Sequence, residues 1–208
     1  MPNVQFEIYE TSNGKRPFQD FLDNLSDKDA AKLLRTLQLI EEFGFEGVPE
    51  SYTAPLGDGL FEIRVRFSSN IQRCIYFHYL KQVFVITHGF TKKSQKTPQR
   101  EIEIAKRYRK NIVKGVKMKN SINSYIEKRL ENESFREEWA QSEDAYQAAR
   151  LLLQLRNEQN LTQTELALLS SKKQSYIARI ESGHYNVSFK VLNEIVQSAG
   201  RKLDIRLK

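Results

Sequence analysis

The spacing of apolar residues changes part-way along the chain, at a lysine-rich stretch. Before this stretch, apolar and polar residues alternate in several short runs, as in GLFEIRVRF at residues 59–67. After it, apolar residues recur every three or four positions over most of the remaining chain. The stretch itself, KNIVKGVKMKNSI at 110–122, contains Met118, and the only other methionine is Met1. Alternation is typical of strands and the longer period of helices, so we predict a strand-rich part followed by a helical part.

The length of the chain fits this division. With 208 residues, it is long enough for two domains of about 100 residues, each with its own core. No run approaches the roughly 18 apolar residues of a membrane span, and the N-terminus lacks a signal-peptide pattern. The single cysteine, Cys74, excludes an internal disulfide, and its apolar surroundings predict a buried, unreactive thiol. We therefore expect a cytoplasmic protein.

The net charge of +7 is unevenly distributed. Residues 1–59 hold 5 Lys or Arg against 11 Asp or Glu, whereas residues 60–117 hold 14 against 3. Residues 118–208 are nearly balanced, with 14 against 12. So basic a block predicts a surface for a polyanion such as nucleic acid, with an ordinary solvated face as the alternative.

The first part has the element order of an α+β domain. Residues 4–10 alternate as a strand, and Pro17 and Ser26 begin two helices, the second of which ends at Gly44. Three antiparallel strands follow, and a last helix has Pro98 in its first turn. This order predicts a sheet with helices on one face.

The polar face of the strand at 59–67 carries Glu62, Arg64 and Arg66, and the next strand adds Arg73. Three arginines are costly to bury without counter-charges, so we expect this face to be open to solvent or to a ligand. Guanidinium groups on a rigid sheet suit bidentate binding of phosphate. The loop GFTKKSQKTPQR adds four further cations: Lys92, Lys93, Lys96 and Arg100. Together these residues predict a cleft for the RNA backbone.

The segments GLFEIRVRF, QRCIYF and ITHGFTKKSQKTPQREIEIA together resemble the Gp49-like branch of the RelE/HigB-type toxins. The resemblance covers residues 4–113, and its most specific part is the loop GFTKKSQKTP. It implies a RelE-like (microbial RNase-like) fold and a small endoribonuclease that cuts messenger RNA on the ribosome, without metal or other cofactor. Glu62 stands where many RelE relatives carry a basic residue.

RNA can be cut by its own 2′-hydroxyl, so the protein must supply positioning, charge stabilisation and proton transfer. Arg64 and Arg73 would hold the scissile phosphate, and Lys92 or Lys93 would act as an acid or an electrostatic partner. His88 is a candidate base, or alternatively a histidine packed at a strand end. The histidines and the cysteine have no metal-ligand spacing. The candidates are Arg64, Arg66, Arg73, His88, Lys92 and Lys93 for catalysis, and Lys96 and Arg100 for RNA binding.

The second part begins with a helix-forming, acidic arm at 118–144. Residues 119–144 hold 7 acidic side chains against 4 basic ones. Ser134 and Glu137 have the spacing of a capping box, and Phe135 and Trp139 share a helix face. The arm is expected to lie across a basic partner, or alternatively to be an amphipathic helix in its own domain's core.

The segment LTQTELALLSSKKQSYIARIESG, at 161–183, predicts two short helices joined by a tight turn. Thr162 and Glu165 form a capping box. Three residues of the first helix and two of the second are predicted to face inward: Leu166, Ala167, Leu169, Ile177 and Ile180. Ser188 is predicted to cap a further helix, and KLDIRL at 202–207 alternates like a short strand.

This spacing resembles the Cro/Xre-type helix-turn-helix. The resemblance implies a phosphate contact for Gln163 and a backbone or base contact for Arg179. It implies base reading by three residues of the second helix: Gln174, Ser175 and Tyr176. Lys173 is expected to contact the DNA backbone. Ser171 and Lys172 stand where the family favours Gly and an apolar residue.

In families of this type, a HigB-like toxin is encoded just before a HigA-like antitoxin, and Met118 resembles the antitoxin's own start. The predicted domains are a toxin at 1–113, a linker at 114–117 and an antitoxin at 118–208, comprising the arm and a helix-turn-helix at 145–208. The predicted function is a type II toxin–antitoxin module in one chain, with mRNA and operator DNA as partners. Its antitoxin half would neutralise the toxin, dimerise and repress its own operon. The alternative is a non-catalytic DNA-binding regulator with a structural or RNA-binding N-terminal domain.

Overall fold

The computed structural model describes residues 4–67, 70–92, 96–112 and 120–204. These residues form two compact units, Met1–Trp139 and Ala140–Lys208. The linker predicted at 114–117, Met118 and Lys93 lie outside the described residues. The domain boundaries inferred from the sequence therefore stay predictions, although the unit boundary falls about twenty residues beyond Met118.

The first unit contains a mixed five-stranded sheet. Its strands are β1 (Gln5–Ile8), β2 (Thr53–Gly57), β3 (Leu60–Phe67), β4 (Asn70–Leu80) and β5 (Val83–Lys92). The strand order is β1-β5-β4-β3-β2, in which β1 runs parallel to β5 and the other pairs are antiparallel. The helices of this unit are α1 (Pro17–Asp23), α2 (Asp27–Gly47), α3 (Gln99–Asn111), α4 (Ile122–Arg129) and α5 (Glu133–Gln141). The α+β fold predicted for the first part is confirmed.

The helices lie on both faces of the sheet, not on one as the sequence suggested. His88 and Gly89 are consecutive in β5, so their side-chain directions point to opposite faces. His88 contacts Glu101 of α3, whereas a Cβ on Gly89 would meet the Phe21 ring of α1 at 2.1 Å. Phe45 of α2 stacks on Tyr76, which shares the Gly89 face. Helices cover both faces because the α3 face has an apolar core of its own. This core is formed by residues of β3, β4, β5 and α3: Leu60, Ile75, Phe77, Val85 and Ala105.

Capping residues and prolines in the sequence predicted most of the helix ends correctly. The Ser26 hydroxyl accepts a hydrogen bond from the Asp29 amide at the start of α2, and Pro17 begins α1. The helix does not stop at Gly44. Its backbone turns there, with φ 74°, and the chain continues helically to Gly47. Cys74 is fully buried, and burial raises the pKa of its thiol, as expected for an unreactive cysteine.

The sequence analysis missed β2, which contains Pro55. Proline cannot donate to a sheet ladder, so it argues against a central strand but is tolerated at an edge. β2 is the edge strand next to β3, and its register shifts between Pro55 and Gly57.

The second unit is helical in its described residues. It contains α6 (Glu143–Glu158), α7 (Gln163–Leu169), α8 (Gln174–Glu181) and α9 (Phe189–Ser198). The predicted capping box at Thr162 and Glu165 is present, and Ser188 caps α9. The core of this unit contains nine buried residues, Ala148, Leu152, Leu155, Leu166, Ala167, Ile177, Ile180, Ile195 and Val196.

Three local predictions in the second half were wrong. Leu169 is 48% exposed, because it is the last residue of the short helix α7, whose buried side is formed by Leu166 and Ala167. The side chain of Asn132, not that of Ser134, accepts a hydrogen bond from the Phe135 amide at the start of α5. Residues 201–204 form no strand, and the rest of KLDIRL lies outside the described residues.

Candidate functional site

A charged cluster lies on the α3 face of the sheet. Arg64 is opposite Arg73, and Arg73 is opposite Phe90, so the three residues form a row across β3, β4 and β5. The Glu62 carboxylate accepts hydrogen bonds from Arg64 Nε at 2.6 Å and from Arg73 Nη1 at 2.7 Å. It also accepts from the hydroxyl of Thr97, which in turn accepts from Arg73 Nη1 at 2.8 Å. Glu62 is therefore the centre of the cluster.

The arginines differ in exposure, contrary to the expected open face. Arg73 is 3% exposed and Glu62 is 1% exposed, whereas the Arg64 side chain is 39% exposed and Arg66 is exposed as well. The counter-charge of Glu62 makes the burial of Arg73 possible. Burial pushes the pKa of Glu62 up, but hydrogen bonds from Thr97, Arg64 and Arg73 outweigh it and hold this pKa below its ordinary value. On this face, solvent therefore reaches Arg64 and Arg66, whereas Arg73 is buried.

Lys92 lies in the same surroundings. It is 4% exposed, and its Nζ has no hydrogen-bond partner among the described residues. Burial lowers the pKa of this amine, and the charges of Arg73 and Arg64 lower it further, with Glu62 acting in the opposite direction. An amine in such a setting loses its proton more readily than a surface lysine, which suits it to proton transfer.

His88 lies in the interior between β5 and α3. It is 6% exposed, and its ring nitrogens lie 3.0 Å from the Thr87 hydroxyl and 3.1 Å from a Glu101 carboxylate oxygen. Burial lowers the pKa of the imidazole, and Glu101 partly restores it. His88 therefore links β5 to α3. Lys96 and Arg100 are exposed at the approach to α3, as a role in RNA binding requires.

The α4–α5 segment, which we define as residues 120–139, lies within the first unit. Its apolar residues Ile122, Tyr125, Ile126 and Phe135 are buried. Arg129 bonds to Asp23 and, at 2.9 Å, to Asp27, and the Tyr125 hydroxyl donates to Asp23 at 2.7 Å.

The charges at this contact are the reverse of those expected. The sequence suggested that the acidic arm would lie across a basic partner or, alternatively, form an amphipathic helix in its own domain's core. Instead, a cation of the arm, Arg129, bonds to acids of the acidic block at 1–59. The guanidinium of Arg35 lies 3.8 Å from the ring centroid of Trp139. A single well-placed arginine thus determines the contact more than the arm's average charge.

In the second unit, a polar chain runs from the interior to the start of α8. Arg156 bonds to Glu181, which is fully buried, at 2.8 Å. Gln163 donates to Glu181 at 2.7 Å, and Gln174 donates to Gln163 at 2.7 Å. The first residue of α8 is therefore held in a fixed orientation by a buried ion pair.

The outer side of α8 borders an open groove of about 680 Å³. Its lining includes four of the six residues predicted to contact DNA, namely Lys173, Ser175, Tyr176 and Arg179, together with Ser171, Lys172 and Val191. The Arg179 guanidinium lies 4.0 Å from the Tyr185 ring centroid, and Lys172 bonds to Glu194. Ser171 has φ 52°, in the left-handed region that favours the Gly of the resembled family.

Comparisons with known families agree with this division. Residues 20–110 match the family described as Phage derived protein Gp49-like (DUF891), and residues 152–205 match the family described as Helix-turn-helix. The chain joins a Gp49-like toxin-family domain to a Cro/Xre-type helix-turn-helix domain. No curated protein matches it. The pairing is that of a toxin–antitoxin-type fusion with a DNA-binding domain. The α4–α5 segment lies between the two matched ranges.

Sequence reasoning missed two residues of the Gp49-like domain that organise its charged cluster. Thr97 lies within the basic loop and gave no signal of its own, and Glu62 was not recognised as the counter-charge of Arg73. Within the described ranges, no group of three His, Cys, Asp or Glu residues is placed to hold a metal ion. No described helix is long and apolar enough to cross a membrane.

Proposed function

We propose that the Gp49-like domain is an mRNA-cleaving endoribonuclease that needs no metal, and that this cytoplasmic fusion keeps it inactive. The observation that carries the proposal is the cluster of cations on the α3 face, with Arg64 and Arg66 at the surface and Lys92 buried beside them. Such a cluster suits a phosphate that gains charge as the 2′-hydroxyl attacks.

Each residue has a role that its position supports. Arg64 and Arg66 bind the scissile phosphate, and Lys96 and Arg100 bind neighbouring phosphates. Arg73 adds positive potential from beneath and holds Glu62, which orients Arg64 through the 2.6 Å bond. Lys92 protonates the departing 5′-oxygen, because its lowered pKa makes proton release easier. As the 2′-oxygen bonds to phosphorus and the bond to the 5′-oxygen breaks, the 2′-hydroxyl gives its proton to solvent water. Lys93, which lies outside the described residues, is retained from the sequence as a second candidate.

The second half, by this proposal, binds a palindromic operator as a homodimer through its helix-turn-helix and represses its own operon. It silences the toxin through bulk that keeps the domain out of the ribosome. The named contacts of the α4–α5 segment support this, because they lie on β1, α1 and α2, away from the α3 face.

A non-catalytic regulator is the second candidate. The burial of Arg73 against Glu62 favours it, because a buried ion pair is also what a purely structural cluster would contain. The two candidates differ in whether the exposed arginines act on RNA.

The test starts from the full chain, with a protease site in place of residues 113–119 and an N-terminal tag. After cleavage, the immobilised first part is washed in denaturant to remove the second part, refolded and given RNA in excess chelator. We expect cleavage, and an Arg66→Ala variant should lose at least ten-fold in rate while Lys110→Ala, an equal charge change on the exposed end of α3, keeps it. Intact RNA with refolded protein, on free messages and on translating ribosomes, would support the regulator instead.

A further inference from the structure

We infer that the α4–α5 segment is a self-contained docking element, and that its partner is the surface of the Gp49-like domain formed by β1, α1 and α2. Residues 120–139 then bind the toxin domain, and the helix-turn-helix unit binds DNA. The inference deepens the proposed function and rests on it for the consequence of docking, but not for docking itself. Its starting point is that these residues lie between the two family matches yet group with the first unit.

The first contact completes a sheet edge. β1 is an outer strand, so its outward amides need partners from elsewhere. The Phe6 amide donates to the Glu41 carboxylate at 2.7 Å, and the Ile8 amide donates to the Asn120 carbonyl at 2.8 Å. Ser121 forms an antiparallel bridge with Glu7. The segment therefore begins by adding backbone to an exposed edge, as a bound peptide does.

The second contact is apolar. Ile122 and Phe135 are fully buried, and Tyr125 and Ile126 are 7% and 4% exposed. Apolar side chains that are buried at a contact supply most of the affinity in docked helices. Three buried residues in α4 and one in α5 hold both helices, so the whole segment is engaged and not only its first turn.

The third contact gives specificity. Arg129 donates from its two Nη atoms to two acids, Asp23 at the end of α1 and Asp27 at the start of α2. The same guanidinium lies 5.4 Å from the Phe135 ring centroid, which ties α4 to α5. Side-chain amides of the segment add two bonds to the first domain, Asn120 to Glu10 at 2.8 Å and Asn123 to Glu41 at 3.0 Å. A fork of this kind recognises paired carboxylates better than a lysine would.

The chain contains a natural reporter of this docking. Trp139 is the only tryptophan, and it lies beneath the Arg35 guanidinium at the end of the segment. Its fluorescence should therefore report whether residues 120–139 occupy the surface, without any label.

The experiment uses the full chain with two protease sites, one in place of residues 113–119 and one between Gln141 and Ser142. After both cuts, we expect the α4–α5 peptide to co-elute with the first domain, and tryptophan emission to stay as in the uncut protein at micromolar concentration. Stepwise dilution then gives the dissociation constant from the red shift on release. Arg129→Ala should weaken retention at least ten-fold, Arg129→Lys should restore it only in part, and Arg136→Ala, an exposed arginine on α5, should change it less than two-fold.

Three outcomes would overturn the inference: free elution of the peptide, its elution with residues 142–208, or equal effects of Arg129→Ala and Arg136→Ala. If only the uncut Arg129→Ala chain fails to fold, the twice-cut parent still decides the question. Because elution and fluorescence require no RNA, a retained peptide on a domain without RNase activity would refute the proposed function alone.

Discussion

Replacing Arg73 should destabilise the first unit strongly, because it leaves Glu62 buried with its main partner removed. Arg73 Nη1 lies 2.7 Å from both Glu62 carboxylate oxygens, and the two side chains are 4% and 1% exposed. Breaking a buried pair on one side typically costs about 3–5 kcal/mol. Arg64 and Thr97 continue to bond Glu62, so we expect Arg73→Met to lie near the lower end, about 3 kcal/mol.

A double-mutant cycle separates the pair from its surroundings. Glu62→Gln should cost a similar amount, because Arg73 then remains buried near Lys92 and Arg64. The double variant Glu62→Gln/Arg73→Met removes both charges of the pair, so neither partner is left buried without the other, and it should cost less than the sum of the single changes by about 2 kcal/mol or more. Urea unfolding of the full chain, followed by Trp139 emission, reads the first unit in particular. The reasoning fails if Arg73→Met costs under about 1 kcal/mol or if the two changes simply add.

The pH dependence gives a second check on the same pair. The pKa of Glu62 is lowered in the folded chain, so its contribution is present above the unfolded pKa and is lost as the pH falls through the folded value. The difference between wild type and Arg73→Met should therefore shrink below about pH 4. A loss of RNase activity in any Arg73 variant must be compared with this loss of stability, which is why Arg66 is the better test of chemistry.

Three further changes test other parts of the structure. Burial, together with the charge of Glu7, raises the pKa of Glu41, so the ionised form of Glu41 is unfavourable at neutral pH. Glu41→Gln should therefore raise the urea midpoint at pH 7, and this gain should fade towards pH 4. Ser171→Gly relieves a left-handed residue at an entropic cost and should stabilise the second unit by about 0.5–1 kcal/mol in thermal unfolding, whereas Ser171→Ala should give no gain. In gel-shift titrations, Gln174→Ala should reduce the preference for operator over random DNA by about ten-fold or more, and Lys173→Ala should weaken both alike; equal losses for Gln174→Ala would contradict base reading.

The sequence predicted best where one local rule decides the structure. The alternation in β3, the hydroxyl cap at Ser26 and the capping box at Thr162 and Glu165 each depend on residues a few positions apart. The turn of the helix-turn-helix was predicted for the same reason, and even the mismatch at Ser171 was visible as a missing glycine.

Predictions failed where the environment of a residue depends on partners that are distant in the sequence. The three arginines were expected to be exposed because no counter-charge was assigned to them. Glu62 lies two residues from Arg64, but its other partners, Arg73 and Thr97, are 11 and 35 positions away, and only folding brings them together. The same holds for β2, whose Pro55 is acceptable only because the strand lies at an edge.

The distribution of charge along the chain separates two surfaces of the first unit. The acidic block at 1–59 supplies Asp23, Asp27 and Glu41, and these bond the α4–α5 segment. The basic block at 60–117 supplies the cations of the α3 face, on the opposite side of the sheet. A segment that docked by its average negative charge would cover that basic face and compete with nucleic acid. Because Arg129 bonds to acids on that side instead, the docked segment leaves the proposed RNA surface uncovered. Under the proposed function, we therefore expect silencing to come from the bulk attached to the toxin domain.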